Sequence, residues 1–180
     1  MRLVAGIVLA VVSGFVLYKG AGCVWPHGCT EASCSDYVAI DLAFADHRWP
    51  DGAYKLEVQF EDAQHKHTCA FSWPEAQPAR GSSTVVPCEP SDLEASLLQD
   101  TKCMEQRTSD AVSQSCVPLE GQYTLRLSLF ATPPGVALHV TRDGEPLKDV
   151  SFDLEYAEER PNGPDCDPLC HESSQELQLD

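Results

Sequence analysis

Nine cysteines behind an apolar run constrain this chain more than any other feature. Leu3 to Tyr18 carries no charge, Arg2 precedes it, and Gly20-Ala21-Gly22 leads into Cys23. Cys29, Cys34, Cys69, Cys88, Cys103, Cys116, Cys166 and Cys170 follow. An odd number leaves one thiol over in a disulfide protein. With Cys23 set aside for a lipid, the other eight form four pairs. That arithmetic predicts an exported protein held to a membrane through its N-terminus.

Three readings fit the leader, which is slightly longer than an ordinary signal-peptide core and shorter than a bilayer span. In the first, residues 1–22 are a signal peptide removed ahead of an acylated Cys23. Ala21 and Gly22 suit it, whereas Gly20 stands where such signals usually carry an aliphatic residue. In the second, an ordinary signal peptidase cuts after the small residues. In the third, the leader stays as an anchor, with Lys19 snorkelling and Trp25 in the interfacial belt. The odd cysteine favours the first.

Removing residues 1–22 takes away Arg2 and Lys19, leaving 10 basic groups against 28 acidic ones, a net charge of −18. Such a surface repels nucleic acid and anionic lipid headgroups. Its partners are therefore the membrane, through the N-terminus, and a possible cationic or protein partner.

Past a cysteine-containing loop at residues 23–35, apolar residues alternate with polar ones, the period of a half-buried strand. Val38, Ile40, Leu42 and Phe44 share a face, as do Tyr54, Leu56, Val58 and Phe60, and then His67, Cys69, Phe71 and Trp73. Tyr123, Leu125, Leu127 and Leu129 repeat the pattern, followed by Val136, Leu138 and Val140, and by Val150, Phe152, Leu154 and Tyr156. Asp143-Gly144 predicts a two-residue hairpin turn. Leu177 and Leu179 suggest a last short strand. Ser91-x-x-Glu94 reads as a capping box, and Leu93, Leu97 and Leu98 as the apolar stripe of a helix running to about Asp100. Between Pro74 and Pro90 a proline-rich loop contains one β-like run at Thr84-Val85-Val86, and Cys103 to Cys116 predicts a disulfide-closed loop.

Gly52-x-Tyr54-x-Leu56 and Gly121-x-Tyr123-x-Leu125 echo each other, each glycine closing a turn and each tyrosine packing under a corner. The pattern resembles strands entering a corner of immunoglobulin-like domains. The predicted fold is mainly β: an immunoglobulin-like antiparallel β-sandwich with one short helix, stapled by disulfides. It occupies residues 36–180 as a single domain, with an inserted loop and helix region at about 74–118.

Few constellations offer chemistry. Cys166, Cys170 and His171 could form half of a zinc site completed by Cys29 or Cys34, but an exported chain favours disulfides. Cys103 with Cys116 and Cys69 with Cys88 are the expected pairs. Cys29, Cys34, Cys166 and Cys170 then pair among themselves, with Cys166 and Cys170 stapling a turn. His65 and His67, at i and i+2, share one face in a geometry able to bind a metal. No carboxylate is evident on that face, so no metal or other cofactor is assigned. Trp49, in the turn between the first two strands, is the candidate binding residue. His47, His139 and His171 are scattered. Gly81-Ser82-Ser83 lacks the strand-turn-helix context of a nucleophile, and carboxylate pairs such as Asp165/Asp167 and Glu158/Glu159 arise by chance in so acidic a chain. The chain is therefore expected not to be an enzyme.

The leader, Cys23, the Cys29-x4-Cys34-Ser35-Asp36 run and the Pro161-Asn162-Gly163-Pro164-x-Cys166-x3-Cys170 tail together resemble a broad group of uncharacterised cysteine-rich envelope lipoproteins abundant in myxobacteria. The resemblance covers the two ends and the general layout. It implies an envelope lipoprotein facing the periplasm on the outer membrane, or the cell surface, and acting as a non-enzymatic binding or structural module. Two alternatives remain: an exported metal-dependent or hydrolytic enzyme whose site the motifs do not reveal, and a bitopic component with a permanent N-terminal anchor.

Overall fold

Alternating apolar side chains become strands, and the computed structural model stacks them as two sheets. It describes residues 32–107, 112–163 and 165–180, so the leader, Cys23 and Cys29 lie outside the described residues. The strands are β1 (Tyr37–Phe44), β2 (Gly52–Phe60), β3 (His67–Trp73), β4 (Ser83–Val86), β5 (Cys88–Glu89), β6 (Glu94–Arg107), β7 (Val112–Leu129), β8 (Gly135–Arg142), β9 (Glu145–Asp153), β10 (Ala157–Glu159) and β11 (Cys170–Leu179). One sheet runs β10-β11-β1-β7-β6-β4 and the other β5-β3-β2-β8-β9. Their inward faces meet in one core that includes Ile40, Leu42, Leu125 and Leu127 from the first sheet and Leu56, Val58, Leu138 and Val140 from the second. Neighbouring strands are antiparallel except for β1 and β11, which are parallel from Tyr37↔Glu172 to Phe44↔Leu179.

The expected helix at Ser91–Asp100 is absent, and β6 stands in its place. Leu93, Ala95 and Leu97 are all buried, at 2%, 1% and 0% exposure, so this segment has period 2. Its backbone pairs on one side with β4 (Val86↔Ala95) and on the other with β7 (Leu97↔Leu125). Those two ladders outweigh a local capping box, because tertiary packing decides where propensity is weak. The stretch between Cys103 and Cys116 is also strand where described. It forms the outer part of a β6–β7 arm, with Cys103 paired directly opposite Cys116. The described side chains there are exposed and, apart from Met104 and Val112, polar, which is why no core pattern announced it. The last strand is longer than its two leucines suggested, because Ser173 and Gln175 occupy inward positions of β11 and conceal the alternation.

The turn chemistry of the β8–β9 hairpin is as predicted. Arg142 pairs with Glu145, so Asp143 and Gly144 form the two-residue turn, and both have positive φ (54° and 84°), as a type I′ turn requires. Gly121 differs from expectation. It lies inside β7 with φ 73°, where the β6–β7 register slips between Gln99 and Thr101, so it serves a bulge instead of closing a turn.

Both corner tyrosines are buried. The Tyr54 hydroxyl donates to the Pro50 carbonyl at 2.7 Å, and the Tyr123 hydroxyl accepts from Gln77 Nε2 at 2.6 Å. Burial also pushes the Tyr54 phenol above its ordinary pKa. Tyr54→Phe keeps the ring but orphans the Pro50 carbonyl. It is expected to lower unfolding free energy by about 1–1.5 kcal/mol in urea titrations, with the slope unchanged.

Candidate functional site

Asp92 is the residue that links the two histidines singled out by spacing. His67 opens β3 with its ring 2% exposed, whereas His65 precedes it in the β2–β3 connection and is half-exposed. The Asp92 carboxylate reaches both: Oδ1 lies 3.4 Å from His67 Nδ1, and Oδ2 lies 3.6 Å from His65 Nε2. His67 Nδ1 also faces the Pro90 carbonyl at 3.3 Å. The two imidazoles meet edge to face with centroids 5.2 Å apart, and Phe60 packs against His67 at 5.8 Å. The ligand atoms of His65, His67 and Asp92 all fall within 4.8 Å of one another, making the one such His/Asp group among the described residues.

The elements around the three residues hold them in place. Gln59 Nε2 donates to the carbonyls of Phe60, Ala63 and His65, which ties the β2–β3 connection back onto β2. The Asp92 loop is fixed by the core residue Leu93 and by β5, whose Cys88 is disulfide-bonded to Cys69. Cys69 pairs with Cys88 and Thr68 with Glu89. Continuing this antiparallel register sets His67 opposite Pro90 and brings Asp92 within reach of its ring. The expected Cys69–Cys88 pair thus held the signal for a carboxylate beside His67, whereas alternation along β3 alone concealed it.

His65, His67 and Asp92 line a cleft of about 430 Å³ together with Phe60, Leu129, Ala131 and Pro133. Two imidazoles and a carboxylate beside a mainly apolar cleft can bind a divalent transition cation while leaving a coordination position for a ligand.

All five described histidines have a carboxylate within 4 Å, as the acidity of the chain makes common. Asp92 alone serves two of them. His139 faces Asp149 and His171 faces Asp36, each as an isolated exposed pair. His47 Nδ1 is 2.6 Å from Asp100 Oδ2, and the Thr124 hydroxyl donates to the other oxygen of Asp100 at 2.8 Å. Thr124 Oγ1 also lies 3.5 Å from His47 Nδ1, so the hydroxyl bridges the pair with its shorter bond to the carboxylate.

Trp49 is a core residue and not a loop-tip contact. It is 4% exposed, its indole nitrogen donates to the Tyr123 carbonyl at 3.0 Å, and Phe44, Tyr54 and Phe71 surround its ring at 5.0–5.4 Å. The expected Cys69–Cys88 and Cys103–Cys116 bridges are present. Cys170, however, pairs with Cys34 instead of stapling its own turn. Cys166 is also disulfide-bonded, and its partner lies outside the described residues. These bridges point to an oxidising compartment. On the opposite sheet surface, hydrogen bonds from Lys55 and Lys66 hold the Glu57 carboxyl down to about 2.

The fold is thus a disulfide-stapled two-sheet β-sandwich with a His/His/Asp cleft. No family model matches the chain, and no curated protein or solved structure does either.

Proposed function

We propose that this chain is an exported envelope protein, lipid-anchored through Cys23, which acts as a non-enzymatic binding module. The observation that carries the reading is the state of Cys166. All seven described cysteines are oxidised, and three bridges account for six of them. Cys166 therefore takes its partner from Cys23 and Cys29, and one of these two is left over.

Cys29 is the partner that the neighbouring contacts favour. The amide nitrogen and carbonyl of Ala32 are both held by the Asn162 side chain at 2.9 Å, which brings the segment just after Cys29 against the turn just before Cys166. Cys23 then carries the lipid. Five residues lie between it and Cys29, a reach of at most about 22 Å, so the sandwich stays close to the membrane. Its negative charge disfavours adsorption to anionic headgroups, leaving the acyl group as the attachment.

Metabolic labelling with a palmitate analogue in the native cell tests this. The wild-type chain is expected to take up label, and Cys23→Ala to lose it and accumulate with residues 1–22 still attached. An unlabelled wild-type chain, or label persisting in Cys23→Ala, would contradict the anchor.

A second reading, an exported metal-dependent enzyme, has one observation in its favour: His65, His67 and Asp92 converge on a cleft. Zinc-dependent turnover of a hydrolysable ester or peptide library, lost in Asp92→Asn, would select it over a binding role.

A further inference from the structure

We infer that His65, His67 and Asp92 bind one divalent d-block cation through two imidazole nitrogens and one carboxylate, leaving the fourth position open to the cleft. The convergence of three donor groups carries the inference. A tetrahedral zinc ion with ligands at about 2.0–2.1 Å sets neighbouring ligand atoms about 3.3–3.4 Å apart. The two histidines reach the two oxygens of the Asp92 carboxylate, His67 Nδ1 at 3.4 Å from Oδ1 and His65 Nε2 at 3.6 Å from Oδ2. An imidazolium–carboxylate pair sharing a proton closes to about 2.7–2.9 Å, and 3.6 Å is too long for a hydrogen bond. His47–Asp100 closes to 2.6 Å, and His139–Asp149 and His171–Asp36 stand at 3.5 and 3.2 Å, each with a single histidine; the convergence of two imidazoles on one carboxylate is what sets Asp92 apart. One donor atom from each of the three residues lies within 4.8 Å of the others, close enough for a modest swing of the exposed His65 ring to close the set around a shared ion.

The arrangement also has the stiffness that a site needs. His67 is immobilised in the core, and the Cys69–Cys88 bridge fixes its strand to the chain that carries Pro90 and Asp92. His65 is half-exposed, so its ring can swing to complete the set. Two nitrogen donors select a borderline cation such as zinc, copper or nickel over calcium and magnesium, which take oxygen ligands. The net charge of −16 raises the local concentration of any cation. A ligand entering the cleft beside Phe60 and Leu129 meets the ion directly, which gives the binding module an electrophilic contact for a carboxylate or imidazole.

The protein, extracted from membranes in non-ionic detergent and stripped with a chelator, is titrated with zinc chloride against a chromophoric indicator. One zinc ion per chain is expected at the site. His65→Ala and Asp92→Asn alter half-exposed side chains, keep the core intact, and are each expected to weaken binding tenfold or more. His139→Ala removes a histidine from a comparable exposed pair and leaves the affinity unchanged. Affinity equal in the wild type, His65→Ala and Asp92→Asn, or no saturable binding at all, would overturn the site. The readout does not depend on acylation of Cys23, so it can fail while the anchor stands, and the reverse also holds.

Discussion

Trp49→Ala is expected to destabilise the sandwich by about 3–5 kcal/mol, the usual cost of emptying a buried tryptophan site. The indole is surrounded by Phe44, Tyr54 and Phe71 in edge-to-face contacts, and alanine leaves the backbone around them unable to collapse. It also leaves the Tyr123 carbonyl without the indole N–H that satisfies it at 3.0 Å. Because natural domains hold only about 5–15 kcal/mol in reserve, the variant loses a large share of its stability. Urea titration checks this, and a change within about 0.5 kcal/mol would mark Trp49 as a surface residue after all.

Removing the Cys34–Cys170 bridge is expected to cost up to about 5 kcal/mol. The two half-cystines are 136 residues apart, so the crosslink restrains nearly the whole unfolded chain. It also clamps the parallel β1–β11 pair at the end where both strands begin. The double variant Cys34→Ala/Cys170→Ala should therefore melt far below the wild type. Removing the Cys103–Cys116 bridge should act differently, although 13 residues separate that pair too. Met104, Val112 and Val117 in that arm are 45–62% exposed, so the arm can open without disturbing the core. The unfolded and native states then gain similar freedom. The expected result is faster proteolysis within the arm at a nearly constant melting temperature. Equal melting shifts for the two double variants would contradict this division.

Most of the sandwich could be read from alternation, since β1, β2, β3, β7 and β8 bury the residues that the period-2 pattern selected. Tyr54 packs under its corner as the Gly-x-Tyr-x-Leu echo predicts, 2% exposed with its hydroxyl on the Pro50 carbonyl. Ser91 to Asp100 misled because Leu93 and Leu97 fit periods of both 2 and 3.6. The deciding residue is Ala95, small enough to be overlooked yet 1% exposed between β4 and β7. The parallel β1–β11 pair left no local trace, because it joins strands from opposite ends of the chain and its inward positions include Ser173 and Gln175. The candidate site was half legible: the i, i+2 spacing found both histidines, whereas Asp92 comes from a loop 25 residues beyond His67 and arrives only through the β3–β5 register.

Intact, non-reduced mass of the chain recovered from its own cell membranes tests the account most directly. A chain beginning at Cys23, heavier by a diacylglyceryl group and lighter by the eight hydrogens of four disulfides, is the predicted result. A full-length mass without lipid would contradict it, returning residues 1–22 to the mature protein as an anchor and leaving the ninth cysteine to a different partner.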